Sequence, residues 1–254
     1  MLGAACGSDD SGSAGTMPTE DAGTDLGPAV AGEITVFAAA SLTEAFTEIG
    51  DSFVIEYPKA TVTFSFASSS ELVTQINEGA PADVYASADQ SNMSKLTDAG
   101  RNAGDPVVFA TNSLEIIVEP GNPEGITAVA DLANPDLIVV TCDPEVPIGK
   151  YTAEVFARAG VTVTPKSFEA NVKGVVGKVI LGEADAGIVY KTDVDAAGDK
   201  AAGIEIPAAI NVTAEYPIVV TQEAPNALGA QAFVDFVLSQ QGQSVLATYG
   251  FSAP

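Results

Sequence analysis

The sequence contains no histidine, and this absence excludes several kinds of active site. A Ser-His-Asp triad or a Cys-His pair needs an imidazole as its general base, so neither can form here. Zinc sites with imidazole ligands are excluded for the same reason. Cysteine is scarce as well, with only Cys6 and Cys142, and there is no CxxC motif. The two lie far apart in the chain, and we expect Cys142 to be a small buried core residue without a disulfide.

Basic residues are also few, since 10 Lys and Arg stand against 34 Asp and Glu, giving a formal net charge of −24. A surface of this charge repels phosphate backbones and anionic lipid head groups, so nucleic acid is a poor partner. The ordinary consequence of such a charge is colloidal solubility. No apolar run approaches the roughly 18–20 residues that a membrane-spanning helix needs, and none is predicted.

The first 32 residues differ in composition from the rest. Residues 7–32 are rich in Gly, Ser, Thr, Asp and Pro and have almost no large apolar residue. Such a segment cannot offset its ordering entropy by burying apolar surface. We therefore predict a flexible N-terminal tether over residues 1–32.

A short string before this tether, Leu2-Gly3-Ala4-Ala5-Cys6-Gly7, resembles the lipobox of bacterial lipoproteins. In that family the cysteine becomes the lipidated first residue. Gly3 departs from the usual aliphatic residue, and the charged and apolar parts of a signal peptide are missing, so the chain looks truncated. Cys6 is a candidate lipidation site, with an incidental cysteine as the alternative. Lipidation would make this an extracytoplasmic cell-envelope lipoprotein that touches the membrane only through its anchor.

From Glu33 onward, short apolar runs alternate with amphipathic stretches. The alternation predicts an α/β fold with mainly parallel sheets, arranged as two lobes around a cleft. We expect lobe I over 33–110 plus 217–254 and lobe II over 111–216. The predicted strands are Ile34–Ala39, Thr61–Phe66, Asp83–Ala86, Ser113–Val118, Leu137–Thr141, Ala186–Tyr190 and Pro217–Thr221. The predicted helices include those beginning at Ser41 and near Ser68, and Gln90–Ala99, Ile148–Ala159, Asn171–Leu181 and Ala230–Leu238.

Serines stand at the first two turns from strand to helix. Ser41 follows the first strand and fits the N-cap of a capping box with Glu44, and Ser68-Ser69-Ser70 follow the second strand. A helix N-terminus presents unpaired N–H groups and the positive end of its dipole, and a hydroxyl adds another donor. This combination binds an oxyanion without a cationic side chain. Serine is also an ordinary helix cap, so simple capping is the alternative.

At these residues the sequence resembles the periplasmic molybdate-binding proteins of ABC-type uptake systems. Seven strings carry the resemblance in the same order, from about Glu33 to Pro254: Ala38-Ala39-Ala40-Ser41-Leu42-Thr43, Phe66-Ala67-Ser68-Ser69-Ser70, Gly79-Ala80-Pro81-Ala82-Asp83-Val84, Ser87-Ala88-Asp89-Gln90, Asp143-Pro144-Glu145-Val146-Pro147, Gly187-Ile188-Val189-Tyr190 and Tyr249-Gly250-Phe251. Each string alone is weak. Together, over one domain-sized span, they are highly specific.

The resemblance implies a type II periplasmic-binding-protein fold with the ligand in the interlobe cleft. Its site residues would be Ser41 and Ser69 through hydroxyl and backbone donors, Ile148 and Val172 through backbone N–H groups, and Tyr190 through its phenol. Donors alone disfavour a protonated oxyanion, because its own O–H would find no acceptor. The implied ligand is molybdate, with tungstate, and the implied partner is a membrane permease. The resemblance implies a monomer with no enzymatic activity, no resident cofactor and no further metal.

Lys150 departs from the resemblance, because an uncharged residue is usual at that position. It is a possible ligand-binding residue, with a solvated side chain as the alternative. Two other functions stay open: a sulfate- or phosphate-binding protein of the same fold, with Asp143 or Glu145 as the acceptor that phosphate needs, and a ligand-free scaffold. A serine hydrolase using Ser69 and Lys150 is a remote alternative, since no GxSxG or SxxK motif surrounds Ser69.

Overall fold

The structure, a computed structural model, describes residues 1–3 and 30–254. The predicted tether and the candidate lipidation site Cys6 therefore lie almost wholly outside the described residues. Within them, no helix has both the length and the apolar character that crossing a bilayer requires.

Ten strands and eight α-helices make up the described part of the chain. The strands are β1 Gly32–Ala39, β2 Ala60–Ala67, β3 Val84–Ala86, β4 Val107–Asn112, β5 Leu114–Val118, β6 Val139–Cys142, β7 Ser167–Glu169, β8 Ala186–Tyr190, β9 Ala202–Glu205 and β10 Ala214–Val220. The helices are α1 Thr43–Glu56, α2 Ser69–Asn77, α3 Gln90–Asp98, α4 Pro147–Ala159, α5 Val172–Ile180, α6 Lys191–Ala197, α7 Ala227–Leu238 and α8 Gln240–Thr248.

The strands form two five-stranded sheets, one in each of two lobes. The first has the order β2-β1-β3-β10-β4 and the second the order β7-β6-β8-β5-β9. The two sheets have the same arrangement: in each, the fourth strand in this order runs antiparallel to the other four. The two-lobed α/β prediction is confirmed. The residue boundaries of the lobes remain a prediction, although β10 begins three residues before the predicted boundary at 217.

Each sheet is mixed. Four of its five strands point one way, and β10 in the first sheet and β5 in the second run antiparallel to both neighbours. These are the two strands that the chain enters directly from the other lobe. A strand reached through a helix can return parallel to the one before, whereas a direct crossing has no helix to reverse the chain. Half of the eight pairings are antiparallel, so the sheets are mixed rather than mainly parallel as predicted.

Helix α1 shows how the apolar pattern holds a lobe together. Phe46, Ile49 and Phe53 recur at helical spacing and are completely buried. The Phe46 and Phe53 rings lie 6.1 and 5.5 Å from that of Phe233 in α7, edge to face. Burial of each such side chain stabilises the fold by roughly 1.5–3 kcal/mol. This packing fixes the start of α1 relative to the end of β1.

Two segments connect the lobes. The first is Ser113, between β4 and β5, and the second is residues 206–213, between β9 and β10. Asn211 in the second segment donates to the Leu114 carbonyl at 2.9 Å and accepts from the Leu114 N–H at 3.2 Å. The second crossing is thus bonded to the first residue of β5, next to the first crossing. Connecting segments of this kind are candidate hinges between lobes.

Most predicted elements are confirmed, with small shifts at their ends. The strand Ala186–Tyr190 coincides with β8, and the helices predicted from Gln90, Ile148 and Asn171 each lie within one residue of α3, α4 and α5. The predicted N-cap role of Ser41 is wrong. The chain passes from β1 into a 3-10 turn over Ala40–Leu42, so α1 begins at Thr43 and Ser41 lies inside the turn.

Candidate oxyanion-binding site

A small cavity lies between the lobes where strands give way to helices. Its volume is about 20 Å³. One buried water needs about 10–15 Å³ by a similar measure, so the cavity suits a small ion rather than an organic metabolite. It is lined by Ala39, Ala40, Ser41, Ala67, Ser68, Ser69, Ala88, Val146, Pro147, Ile148, Asn171, Val172 and Tyr190. All five residues predicted from the resemblance, Ser41, Ser69, Ile148, Val172 and Tyr190, are therefore brought together here.

Ser41 enters the cavity from the turn after β1. It is buried, and its Oγ lies 3.1 Å from the hydroxyl of Tyr216, a completely buried residue of β10. If the phenol donates to Ser41 Oγ, the serine proton is free to point into the cavity. Ser41 therefore does not cap a helix, and its hydroxyl pairs instead with that of Tyr216 behind the cavity wall.

Ser69 is the first residue of α2, and the preceding Ser68 is the actual N-cap, since its Oγ accepts the Glu71 N–H at 3.3 Å. Ser69 Oγ accepts the backbone N–H of Ala88 at 3.0 Å. The hydroxyl keeps its own proton for donation, because a serine can accept and donate at once. Its carbonyl accepts the Tyr85 hydroxyl at 2.8 Å, which fixes the turn.

Two more donors come from helix starts in the second lobe. Ile148 is the second residue of α4 and Val172 the first residue of α5, positions whose N–H groups have no intrahelical partner. Pro147 suits the first position of α4 because its missing N–H costs nothing there. Asn171 caps α5 by accepting the Gly174 N–H at 3.2 Å, as predicted.

Gly149 allows the close approach that places the Ile148 N–H. A Cβ at this position would overlap the backbone carbonyl of Asp143. The loop after β6 therefore lies directly against the first turn of α4, where no larger residue fits. The start of α4 is held against the cavity by this contact.

Tyr190 closes the cavity from the end of β8. The residue is 1% exposed, and its hydroxyl has no hydrogen-bond partner among the described residues. Leaving a buried hydroxyl unpaired costs about 1–3 kcal/mol, which makes this group a candidate donor to a ligand. Its ring packs against those of Tyr151 and Tyr216, 6.5 and 5.8 Å away. Burial raises the pKa of Tyr190 well above its usual value, so the phenol remains a neutral donor.

Neither carboxylates nor cationic side chains are found among the residues that line the described cavity. Asp143 and Glu145, the acceptors considered for phosphate, are engaged elsewhere. Asp143 Oδ1 accepts the Glu145 N–H at 2.9 Å, and Glu145 pairs with Lys95 at 3.5 Å. The cavity therefore offers neutral N–H and O–H donors, which stabilise a fully deprotonated oxyanion and leave a protonated one with an unpaired O–H.

Lys150 lies outside the cavity lining. Its Nζ is 2.5 Å from Ser91 Oγ and 3.4 Å from Asp89 Oδ2, both in the first lobe. The ammonium is thus bonded to Ser91 and Asp89 instead of Ser69, and the Ser–Lys pair needed for a hydrolase is not formed. A direct contact of Lys150 with the anion stays a prediction that the geometry does not favour.

Tyr216 is the site residue that sequence reasoning missed. The strand predicted from Pro217 began one residue too late to include it, whereas β10 begins at Ala214. A tyrosine in an apolar strand can be recognised from the sequence. Its pairing with Ser41, 175 residues earlier in the chain, cannot be predicted from the sequence.

Comparisons with known proteins agree with this fold. The family model described as bacterial extracellular solute-binding protein matches residues 34–252. The molybdate-binding protein ModA of Mycobacterium tuberculosis H37Rv is 41% identical over 250 residues, which cover 98% of this chain and 92% of that protein.

Two solved structures share the fold at 20% identity. The periplasmic molybdate-binding protein of Azotobacter vinelandii superposes with a TM-score of 0.76, covering 87% of this chain and 99% of its own. The sulfate-binding protein SubI of M. tuberculosis superposes with a TM-score of 0.80, covering 87% and 86%. The two-lobed periplasmic-binding-protein fold is thereby confirmed. The chain belongs to the bacterial extracellular solute-binding proteins and, within them, to the family of the molybdate-binding proteins ModA.

Proposed function

We propose that this chain captures molybdate, and tungstate with it, in the cavity between its lobes and delivers the anion to the membrane permease of an ABC transporter. The 41% identity to a molybdate-binding protein over nearly the whole chain supports the ligand. The chemistry of the cavity supports it independently, because the donors are arranged for a small, fully deprotonated oxyanion.

The single observation that carries the proposal is the unpaired hydroxyl of Tyr190. It is buried in the cavity wall, opposite the hydroxyls of Ser41 and Ser69 in the other lobe. An oxyanion between them would accept all three O–H groups as well as the N–H groups at the helix starts. Because Ser41, Ser69 and Tyr190 are buried, each of these hydrogen bonds is stronger than it would be in water.

Binding would proceed by closure around the hinge. The anion first meets the Ser41 and Ser69 turns of the first lobe. Tyr190 and the α4 and α5 N-termini of the second lobe then close over it and exclude water. The closed form is the one we expect the permease to recognise.

The remaining parts of the proposal concern the protein's setting. The chain acts as an extracytoplasmic monomer that binds its ligand without transforming it and needs no resident cofactor. Cys6 carries a lipid anchor, and the segment after it tethers the domain to the membrane. Mass spectrometry of the protein recovered from cell membranes tests the anchor, since diacylation at Cys6 adds a defined mass that Cys6→Ser lacks.

The function is tested by calorimetric titration of the ligand-free protein with molybdate, tungstate, sulfate and phosphate. We expect one-to-one binding of molybdate and tungstate, much weaker binding of sulfate, and no binding of phosphate at a pH where it is protonated. If sulfate binds as tightly as molybdate, the proposed site stands but the proposed preference for molybdate is wrong. Absence of binding by all four anions would favour a ligand-free scaffold.

A further inference from the structure

Lys173 follows Val172 in the first turn of α5, one residue from the cavity, and is paired with carboxylates of both lobes. Its Nζ lies 2.8 Å from Glu44 Oε2 and 3.0 Å from Asp193 Oδ1. A cation at a helix N-terminus is unfavourable by itself, because the dipole is positive there. Burial opposes the charge further, but Asp193 and Glu44 together raise the pKa of Lys173. The lysine therefore remains charged between two acids.

Asp193 connects Lys173 to the cavity. Its side chain is completely buried in the first turn of α6, and its Oδ2 accepts the backbone N–H of Tyr190 at 3.3 Å. The two carboxylate oxygens of Asp193 thus face Lys173 on one side and Tyr190 on the other. Through this contact, the starts of α5 and α6 are held in one arrangement, with Val172 and Tyr190 both directed at the cavity.

Glu44 brings the other lobe into the same network. It lies in the first turn of α1, three residues after Ser41, and both of its oxygens are within 2.9 Å of Lys173 Nζ. Because Glu44 belongs to the first lobe and Lys173 to the second, we expect this ion pair to break when the lobes separate.

We propose that Lys173 is a positioning residue for anion capture, and that its ion pair with Glu44 is a latch on the closed form. The inference rests on the proposed function, since the anion is the molecule that the closed form retains. Asp193 sets the orientation of Tyr190, and Glu44 slows the reopening that releases the anion.

Another ion pair that crosses the cleft is built differently. Lys95 and Glu145 are 3.5 Å apart, with side chains 46% and 75% exposed, so solvent and salt screen their attraction. Lys173 and Glu44 are less exposed, at 29% and 39%, and closer together. The latch at Lys173 is therefore expected to influence closure more than Lys95 and Glu145 do. Lys150 and the buried Asp89, 3.4 Å apart, form a further ion pair across the cleft that Glu44→Gln leaves in place.

A purely electrostatic role for Glu44 predicts the opposite effect. Its negative charge lies near a site for a dianion, so neutralising it would tighten binding if charge alone mattered. A latch predicts instead that Glu44→Gln weakens retention of the anion. The sign of the change thus separates the two roles.

The test compares Glu44→Gln with Glu48→Gln. Glu48 lies one turn further along α1, is exposed, and accepts the Tyr249 hydroxyl within the first lobe at 2.8 Å, so this control makes the same charge change without touching the cleft. Release of radiolabelled molybdate is measured after dilution into unlabelled anion. We expect release from Glu44→Gln to be faster than from the control, on the order of fivefold. Equal or slower release would overturn the latch.

A second measurement tests the latch without any ligand. Spin labels are placed at Ser94→Cys on α3 and Ala153→Cys on α4, two exposed positions on different lobes, in a Cys6→Ser background. Glu44→Gln is expected to shift the distance distribution of the free protein toward longer, open distances, whereas Glu48→Gln leaves it unchanged. Identical distributions would refute the latch. Failure of the wild type to bind molybdate would refute the proposed function alone.

Discussion

At the residue scale, the cavity between the lobes consists of hydroxyl and N–H donors whose own partners lie behind them. Ser41 is backed by Tyr216, and Ser69 is backed by the Ala88 N–H. Tyr190 differs, since its ring is packed on both sides while its hydroxyl is left unpaired. Because of this contrast, removing the Tyr190 hydroxyl should change ligand affinity without lowering the stability of the fold.

Tyr190→Phe removes only this hydroxyl. We expect molybdate binding to weaken by roughly 1.5–3 kcal/mol, the net value of a hydrogen bond to a charged group. The free protein should be as stable as the wild type or more so, because an unpaired buried hydroxyl is lost. Calorimetry and urea unfolding measure the two effects. Tyr249→Phe, which alters an exposed hydroxyl bonded to Glu48, is the control, and unchanged affinity in Tyr190→Phe would reject the site.

Asp193 predicts a dependence of stability on pH. Burial raises its pKa from 3.8 to about 6, although Lys173 opposes the shift. The folded protein therefore binds this proton more tightly than the unfolded chain does, and the resulting stability is present below pH 3.8 and lost as the pH rises through about 6. Asp193→Asn cannot titrate at this position.

The free energy of unfolding of the wild type, relative to Asp193→Asn, should thus fall between about pH 4 and pH 6 and level off above about pH 7, by about 1.4 kcal/mol per unit of pKa shift. Urea unfolding of both proteins across this range measures it, and the other carboxyl groups titrate in both. A difference that stays constant, or rises with pH, would contradict the assignment.

Residue-scale prediction from sequence had the most support where the signal was local. Ser41, Ser69 and Tyr190 stand in strings that carry the family resemblance, and Ile148 directly follows one of them. The structure places all five predicted residues around one cavity, and their contact with the anion stays a prediction. Tyr216 and Asp193 were missed because their importance comes from contacts made by the fold. Tyr216 meets Ser41 across 175 positions, and Asp193 meets Glu44 only through Lys173.

At the scale of elements, the site depends on helix starts placed at the ends of strands. Gly149 and Gly177 are both helical glycines, but we expect their replacement by alanine to have opposite effects on stability. A Cβ at Gly149 would overlap the Asp143 carbonyl, whereas a Cβ at Gly177, inside α5, would meet nothing within 4 Å.

Gly149→Ala should therefore destabilise the fold, typically by about 1–3 kcal/mol for overpacking, and weaken molybdate binding by displacing the Ile148 N–H. Gly177→Ala should stabilise it by up to about 1 kcal/mol, because alanine is the better helix former. Thermal unfolding and titration compare the two. Equal effects on stability would show that the loop after β6 yields, and that Gly149 does not set the start of α4.

Element boundaries were predicted well where a cap or a breaker is present in the sequence. Asn171 caps α5 as predicted, and α4 ends at Ala159, just before Gly160, which adopts the left-handed conformation. The prediction that Ser41 caps α1 was wrong because the same sequence pattern fits the start of a 3-10 turn and the start of an α-helix. The short edge strands β7 and β9 were missed, since three or four residues give too little alternation to recognise. The longer edge strand β4 and the helices α6 and α8 were missed as well.

At the scale of the whole molecule, a protein of formal charge −24 is proposed to bind a dianion. Inside the cleft, neutral donors bind the anion without a cationic side chain. During its approach, however, the anion is still repelled by the negative net charge of the protein. Added salt screens that field, because the Debye length falls from about 30 Å at 0.01 M to about 10 Å at 0.1 M.

Association of molybdate should therefore become faster as sodium chloride rises over this range, the opposite of binding to a cationic site. Release should change less, since the closed cavity is screened from solvent. Stopped-flow kinetics with chloride, and with a nonionic osmolyte as the control, measures both rates. Association that slows with salt would point to a cationic entrance, and Lys150 would then be the first residue to replace.

The account's central claim is that one tetrahedral oxyanion lies between the Ser41 and Ser69 hydroxyls and the Tyr190 phenol. The most direct test is a crystal structure of the protein with molybdate, recorded at a wavelength where molybdenum scatters anomalously. We predict one strong anomalous peak in the cavity, with the anion's oxygens within hydrogen-bond distance of these three hydroxyls and of the Ile148 and Val172 N–H groups. A peak beside Lys150, or none between the lobes, would contradict it.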